Sequence, residues 1–402
     1  MRRIVWGLLL LFAFAIPWEY SLDLGDPVGN IARVTGLVLL LAAIPAVLLA
    51  GRMRTPGALQ WLALAFLLWL CCTSLWTVDM PATLARLRGY FQVMLAVWMV
   101  WEFAATPEDL RDLFRAYVAG SWVLAVLTIA SVASPESEGQ IRFVAEGQDP
   151  NDVARFLDLG FPLAALLLDS EARWAGKLLA FGYLPLGLVG VLVTASRSGF
   201  LAAMVALAGC ALLLAGRHMR ALLMGVFSLP AIVAAVWFVV PHETLERIAT
   251  IPEQLQGGDL NYRLNIWQAG WRAFVHAPFW GTGAGSFVTA ARLAPADTAH
   301  NTVLAIVVEG GIVALIIATA IVAISASSLL QTQGQVRVAL GTAMSVWAVT
   351  SLVATVEQSR TTWLLLALIS FAGRLAAETP RALERCFSQL EGATAEAEGV
   401  TA

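Results

Sequence analysis

Long apolar runs decide what this chain can become. Stretches of roughly 17 to 25 residues with few charges recur near 3–18, 33–50, 58–76, 83–103, 110–133, 152–169, 174–194, 199–216, 219–240, 300–328, 336–356 and 361–377. A helix rises about 1.5 Å per residue and a hydrocarbon core of about 30 Å takes roughly 17–25 residues, so runs of this length read as spans. The pattern predicts an all-α polytopic membrane protein of about 12 transmembrane helices. Composition agrees: 59% of residues are hydrophobic and 13% charged, where a soluble domain carries about 25% charged. A net charge of −3 gives no basis for a nucleic-acid partner. No period of about 20–50 residues marks a repeat array.

Arginine placement orients the bundle. With a cytoplasmic N-terminus, short inner loops hold Arg2 and Arg3, Arg52 and Arg54, Arg111 and Arg115, Arg173 and Lys177, Arg217 and Arg220, and Arg337. The start, "MRRIVWGLLLLFAFAIPW", has the form of a signal peptide, but is expected to stay as the first span because the topology then closes. Residues 1–377 are expected to form one transmembrane domain. Residues 378–402 read as a solvated cytoplasmic tail. Segment 241–299 reads as one large periplasmic loop containing an amphipathic helix, "NYRLNIWQAGWRAFVHAPFW". Its Trp267, Trp271 and Phe274 fall at helical spacing on one face. That helix either lies in the bilayer interface or packs on the end of the bundle.

The outer side carries more arginine than orientation requires. Arg33, Arg86, Arg88, Arg142, Arg155, Arg197, Arg247, Arg263, Arg272, Arg292 and Arg360 all map there. About half are expected to anchor the interface or pair with carboxylates. The remainder point to an anionic ligand, a diphosphate above all, since arginine grips phosphate with two parallel hydrogen bonds. In "TASRSG", 194–199, Ser196 or Ser198 is placed to cap the next helix, which sets Arg197 at a helix N-terminus that favours anions. In "GQDPNDVARF", 147–156, Asp149 or Asn151 is placed to cap a span beginning at Pro150. There Arg155 and Asp158 are spaced to pair along the helix.

"DTAHNTVLAIVVEGG", 297–311, opens a span with His300 and Asn301 at its mouth and Glu309 within. A helix N-terminus and nearby arginines keep an imidazole neutral, fit to act as a general base. The plain alternative is a capping or interfacial histidine. Glu309 lies nine residues on, about 13 Å deeper and half a turn round the helix, so it cannot pair with His300. It is expected to bond a neighbouring helix beneath the site. "GTGAGS", 281–286, follows no strand and reads as a turn. Cys71, Cys72, Cys210 and Cys386 have neither disulfide nor zinc spacing. No metal site and no cofactor are expected.

Together "GQDPND", "TASRSG", "YRLNIWQAGWRAFVHAPFWGTGAGSF" and "HNTVLAIVVEGGI", in that order, resemble the O-antigen ligase superfamily. That superfamily also takes in O-antigen polymerases and bacterial O-oligosaccharyltransferases. The resemblance implies a metal-independent glycosyltransferase of the GT-C type in the bacterial inner membrane, both termini cytoplasmic and the site at the periplasmic face. It implies an undecaprenyl-diphosphate-linked glycan as donor, His300 as base, and Arg197 and Arg263 on the diphosphate. Asn301, Glu309, Arg155, Arg142 and Arg272 are possible supporting residues. The chain lacks the large C-terminal soluble domain common among protein-modifying relatives. The favoured reading is therefore a ligase joining the glycan to lipid A–core, with an O-antigen or exopolysaccharide polymerase as the alternative. A transporter is a third reading, but no two halves with matching interrupted spans are visible.

Overall fold

A computed structural model describes residues 1–25, 29–134, 139–171, 173–215, 233, 234, 236–257, 262–295 and 297–387. Apart from one isolated β-bridge, Asp23 to Asn30, the regular structure among these residues is helical. The helices are α1 (Arg2–Ala15), α2 (Ile31–Ala50), α3 (Ala58–Cys72), α4 (Met80–Phe103), α5 (Pro107–Ala130), α6 (Pro150–Ser170), α7 (Trp174–Val193) and α8 (Arg197–Ala215). After them come α9 (His242–Ala249), α10 (Ile251–Gly257), α11 (Arg263–His276), α12 (Phe287–Ala291), α13 (Thr302–Gln331), α14 (Gly334–Ser351), α15 (Arg360–Glu378) and α16 (Pro380–Phe387).

The starts of the long helices are written in the sequence. Asn30 caps α2, Asp79 caps α4, Thr106 caps α5 and Asp149 caps α6. Each side chain satisfies N–H groups that the first helical turn leaves unpaired. Proline in the first turn of α4, α5 and α6 costs nothing there, because its missing N–H has no partner to lose.

Among the described residues eight segments are long and apolar enough to cross a membrane: Arg2–Ser21, Ile31–Ala50, Ala58–Leu75, Pro107–Ala133, Trp174–Val193, Arg197–Leu214, Thr302–Gln331 and Arg360–Glu378. The expected count of twelve is not reached by that measure. Three of the other expected spans are helices, α4, α6 and α14, but too polar to qualify. The fourth, 219–240, lies largely outside the described residues. The physical reason is plain in α6. It carries Asp152, Arg155 and Asp158, yet packs against α5, α7, α8 and α14 and is almost wholly buried. A helix ringed by protein is not obliged to present apolar side chains to lipid. Against α6 the start of α8 comes very close: a Cβ on Gly199 would stand 2.2 Å from the Ala154 methyl carbon. Glycine there lets the two helix starts meet.

Two expectations change outside the spans. After Arg374 the chain does not simply end as a solvated tail. Pro380–Phe387 folds as α16, burying Leu383 and Phe387, with the Phe387 ring 5.9 Å from that of Phe114. Residues 388–402 lie outside the description. In segment 241–299, α11 packs on α13: Trp267 and Phe274 cover a cluster of Ile266, Ala273, Phe287, Ala299, Ala305 and Val308. Trp271 alone of the three aromatics is left exposed. The helix therefore packs on the end of the bundle while still presenting one aromatic outward.

Candidate active site

Four helix starts converge on one cavity of about 300 Å³. Its walls carry Asp149 and Asn151 from the start of α6, Arg197 and Ser198 from α8, Arg263 from α11, and His300 just before α13. Arg142, Arg247 and Gln254 complete the polar lining. Unpaired N–H groups give each helix start a partial positive charge, so their meeting favours an anion before any side chain is counted.

The side chains add to that field. Four guanidinium groups, Arg142, Arg197, Arg247 and Arg263, face the single carboxylate of Asp149. Asp149 is engaged in capping α6, accepting from the N–H groups of Asn151 at 2.8 Å and Asp152 at 3.3 Å. Among the described residues none of the four arginines forms an ion pair. Their contacts are neutral ones. Arg142 donates to the Thr194 carbonyl at 3.3 Å and to Asn151 Oδ1 at 3.2 Å, and Arg197 donates to the Arg247 carbonyl at 3.2 Å. Arg247 Nε and Gln254 Oε1 are buried without a partner. Burial, then the charge of Arg247, presses the pKa of Arg142 down, and burial does the same to Arg263. Crowded, half-desolvated like charge of this kind stabilises a multivalent anion strongly.

The turn that places Arg197 is built by hydroxyls. Thr194 Oγ1 donates to the Val191 carbonyl at 2.7 Å and accepts from the Ser196 N–H at 3.2 Å. Ser196 Oγ donates to Asn151 Oδ1 at 2.8 Å and accepts from the Gly199 N–H at 3.1 Å, so Ser196 is the cap of α8. Between them Ala195 takes a left-handed φ of 48°. His300 is left-handed as well, at 46°, and so is Tyr262, at 61°, immediately before Arg263. Only one other non-glycine residue among those described, Arg292, does this. Such conformations cost of order 1–3 kcal/mol each and gather where geometry serves function.

His300 is half-buried, and its ring has no hydrogen bond within the described protein. Burial first, and the Arg263 charge second, hold its pKa below the ordinary imidazole value of 6.5. The imidazole is thus neutral at pH 7, with a nitrogen lone pair free for a substrate hydroxyl. Its backbone is fixed from both sides. Trp267 Nε1 donates to the Ala299 carbonyl at 3.1 Å. Asn301 Oδ1 caps α13 through the Leu304 N–H at 2.9 Å, while its Nδ2 donates to the Leu352 carbonyl at 3.0 Å.

Other residues singled out in the sequence lie elsewhere. Arg155 does not pair with Asp158. It binds Asp152 at 2.7 Å and Ser359 at 3.3 Å, and its guanidinium carbon stands 4.7 Å from the Phe156 ring centre. A helical pair three apart was available in both directions, and Asp152, at the polar end of α6, takes it. Glu309 is buried, 3.5 Å from Arg86 on α4 and accepting from the Gly285 N–H at 2.7 Å, and it does not line the cavity. Arg86 also grips Glu357 at 2.7 Å. Arg272 is exposed and shares a separate open groove with Asn301, Trp267 and Trp271. Arg247 was one outer arginine among eleven. Its only local mark is its place in the last turn of the short α9.

Residues 182–319 match the family model described as O-antigen ligase. Over that stretch, about a third of the chain, the protein is similar to the O-antigen ligase-like superfamily. The matched stretch runs from within α7 into α13 and contains Arg197, Arg247, Arg263 and His300. Arg142, Asp149 and Asn151, which close the same cavity, precede it. No curated protein matches the chain. That similarity, with helices long and apolar enough to cross a membrane, supports a membrane protein of glycosyltransferase-like kind.

Proposed function

We propose that the chain is an O-antigen ligase that transfers a glycan from undecaprenyl diphosphate to lipid A–core at the periplasmic face of the inner membrane. The observation that carries the reading is a neutral histidine and four arginines on one cavity, none of the four in an ion pair among the described residues. The diphosphate sits among Arg197, Arg263, Arg247 and Arg142, against the N-termini of α6 and α8. His300 takes the proton from an acceptor hydroxyl as its oxygen attacks the anomeric carbon. The bond from that carbon to the diphosphate oxygen breaks, and the arginines hold the charge that develops on the leaving group. Direct displacement of this kind inverts the anomeric centre. A base in hydrogen-bond reach contributes roughly 10² to 10⁴ in rate.

A polymerase would use the same cavity, with a second lipid-linked glycan as acceptor. Purified protein given defined donor and acceptor lipids separates the two. A ligase consumes lipid A–core and leaves donor alone when that acceptor is withheld. A polymerase lengthens the lipid-linked glycan without it.

A further inference from the structure

A second cavity, of about 260 Å³, lies away from the arginine cluster, between α1, α2 and α4. On α2 it is lined by Arg33, Gly36, Leu37 and Leu40, and on α4 by Gln92, Leu95 and Met99. Both sets follow helical spacing, one face of each helix. In both the polar residue comes first and the rest are apolar. Arg360, at the start of α15, closes the polar end, and Phe12 of α1 lines the apolar part. Leu37 and Phe91 at its edge are 56% and 54% exposed, so the groove opens sideways, on a face that meets lipid in a bilayer.

The polar end holds surplus positive charge. Arg360 pairs with Glu19 and donates to Gln92 Oε1 at 2.8 Å. Arg33 has no carboxylate partner among the described residues. Among the described residues, two guanidinium groups against one carboxylate leave one net positive charge. Arg33 lies close over Gly29: its Cδ and Nη1 are 2.9 and 3.0 Å from where a Cβ on Gly29 would stand, and Gly29 takes a φ of 78°. A cation at the head of an apolar groove matches an amphiphile with a negative head.

We propose that this groove binds one anionic diacyl phospholipid, its phosphate at Arg33 and Arg360 and one acyl chain between α2 and α4. The bilayer in which α2 stands supplies such a lipid directly through the open side. This site is separate from the arginine cavity and does not depend on what reacts there.

Lipid retention tests it, with the purified full chain exchanged into detergent and measured by native mass spectrometry. Phosphatidylglycerol should be held at least tenfold more strongly than phosphatidylcholine. Arg33→Gln should erase that preference, and Leu95→Trp, which fills the groove, should displace both lipids. Both variants should keep the wild-type elution volume and melting temperature, which separates lost binding from lost fold. The proposal is overturned if the wild type holds the two lipids equally, or if the preference survives Arg33→Gln. It is equally overturned if millimolar inorganic phosphate alone strips the lipid, since the apolar wall then contributes nothing. Displacement by a polyprenyl phosphate in place of the diacyl lipid would assign the groove to a substrate and contradict it too.

Discussion

Arg263 and His300 line one cavity, and the guanidinium lowers the proton affinity of an imidazole that burial has already depressed. Asp149 acts on the same ring in the opposite direction. A base works only when neutral, so transfer should fall as pH drops through the His300 pKa. The acid limb of kcat/KM should therefore lie below the ordinary imidazole value of 6.5. Arg263→Gln removes a positive neighbour, which raises the pKa and moves the limb to higher pH. Asp149→Asn removes a negative one while retaining a capping side chain, and should move it to lower pH. A pH–rate profile of the three proteins reads the sign directly.

Arg247 should matter as much as Arg197 and Arg263, though nothing in its sequence neighbourhood sets it apart. Its Nε is buried and unpartnered on the cavity wall. Hydrogen bonds to charged groups contribute about 1.5–3 kcal/mol, so Arg247→Gln should lower kcat/KM roughly 10- to 100-fold. The melting temperature should hold, because no ion pair is lost. Steady-state kinetics with a defined donor, alongside thermal unfolding, checks both halves.

Trp267→Phe keeps an aromatic ring in the α11 cluster and deletes one hydrogen bond, the 3.1 Å contact from Nε1 to the Ala299 carbonyl. That contact holds the peptide next to His300. A loss of about 0.5–1.5 kcal/mol is expected. It should appear as a several-fold fall in kcat with little change in donor affinity. Transfer rates at saturating donor, set beside direct donor binding, distinguish this from a damaged cavity.

Gly311→Ala should be far more damaging than its size suggests. Gly311 has φ 68° and ψ −169°, backbone that essentially only glycine adopts. A Cβ there would stand 2.2 Å from the Phe279 carbonyl oxygen. The turn 281–286 is pinned on the same stretch, with the Thr282 N–H on the Val308 carbonyl at 2.8 Å and the Gly283 N–H on the Glu309 carbonyl at 2.9 Å. The variant should lose several degrees of melting temperature and most of its activity. Thermal unfolding in detergent is the check.

Much of this was legible because it is local. Asp149 and Ser196 announce helix starts, and the start of α8 fixes where Arg197 lies; at α13 the cap is Asn301 rather than the histidine beside it. The half-turn expected between His300 and Glu309 does not apply, because His300 stands before α13 with a left-handed φ of 46°; Glu309 pairs with Arg86 on another helix. What sequence does not carry is which helix surrounds which. The expected pairing of Arg155 with Asp158 failed because α6 is enclosed by four other helices, and Arg155 binds Asp152 at the polar end of α6 instead. Arg272 and Arg263 lie on one helix nine residues apart, and only packing on α13 decides that one lines the cavity and the other an exposed groove. Arg142 and Arg247 reach the cavity from loops and short helices remote in sequence, a convergence that no spacing encodes.

Transfer by purified protein from a defined undecaprenyl-diphosphate-linked glycan to lipid A–core is the most direct test, with His300→Ala compared in a single turnover. The predicted result is a rate at least about 100-fold lower with donor affinity unchanged, because the four arginines remain. Transfer by His300→Ala at the wild-type rate would contradict the assignment of His300 as the base.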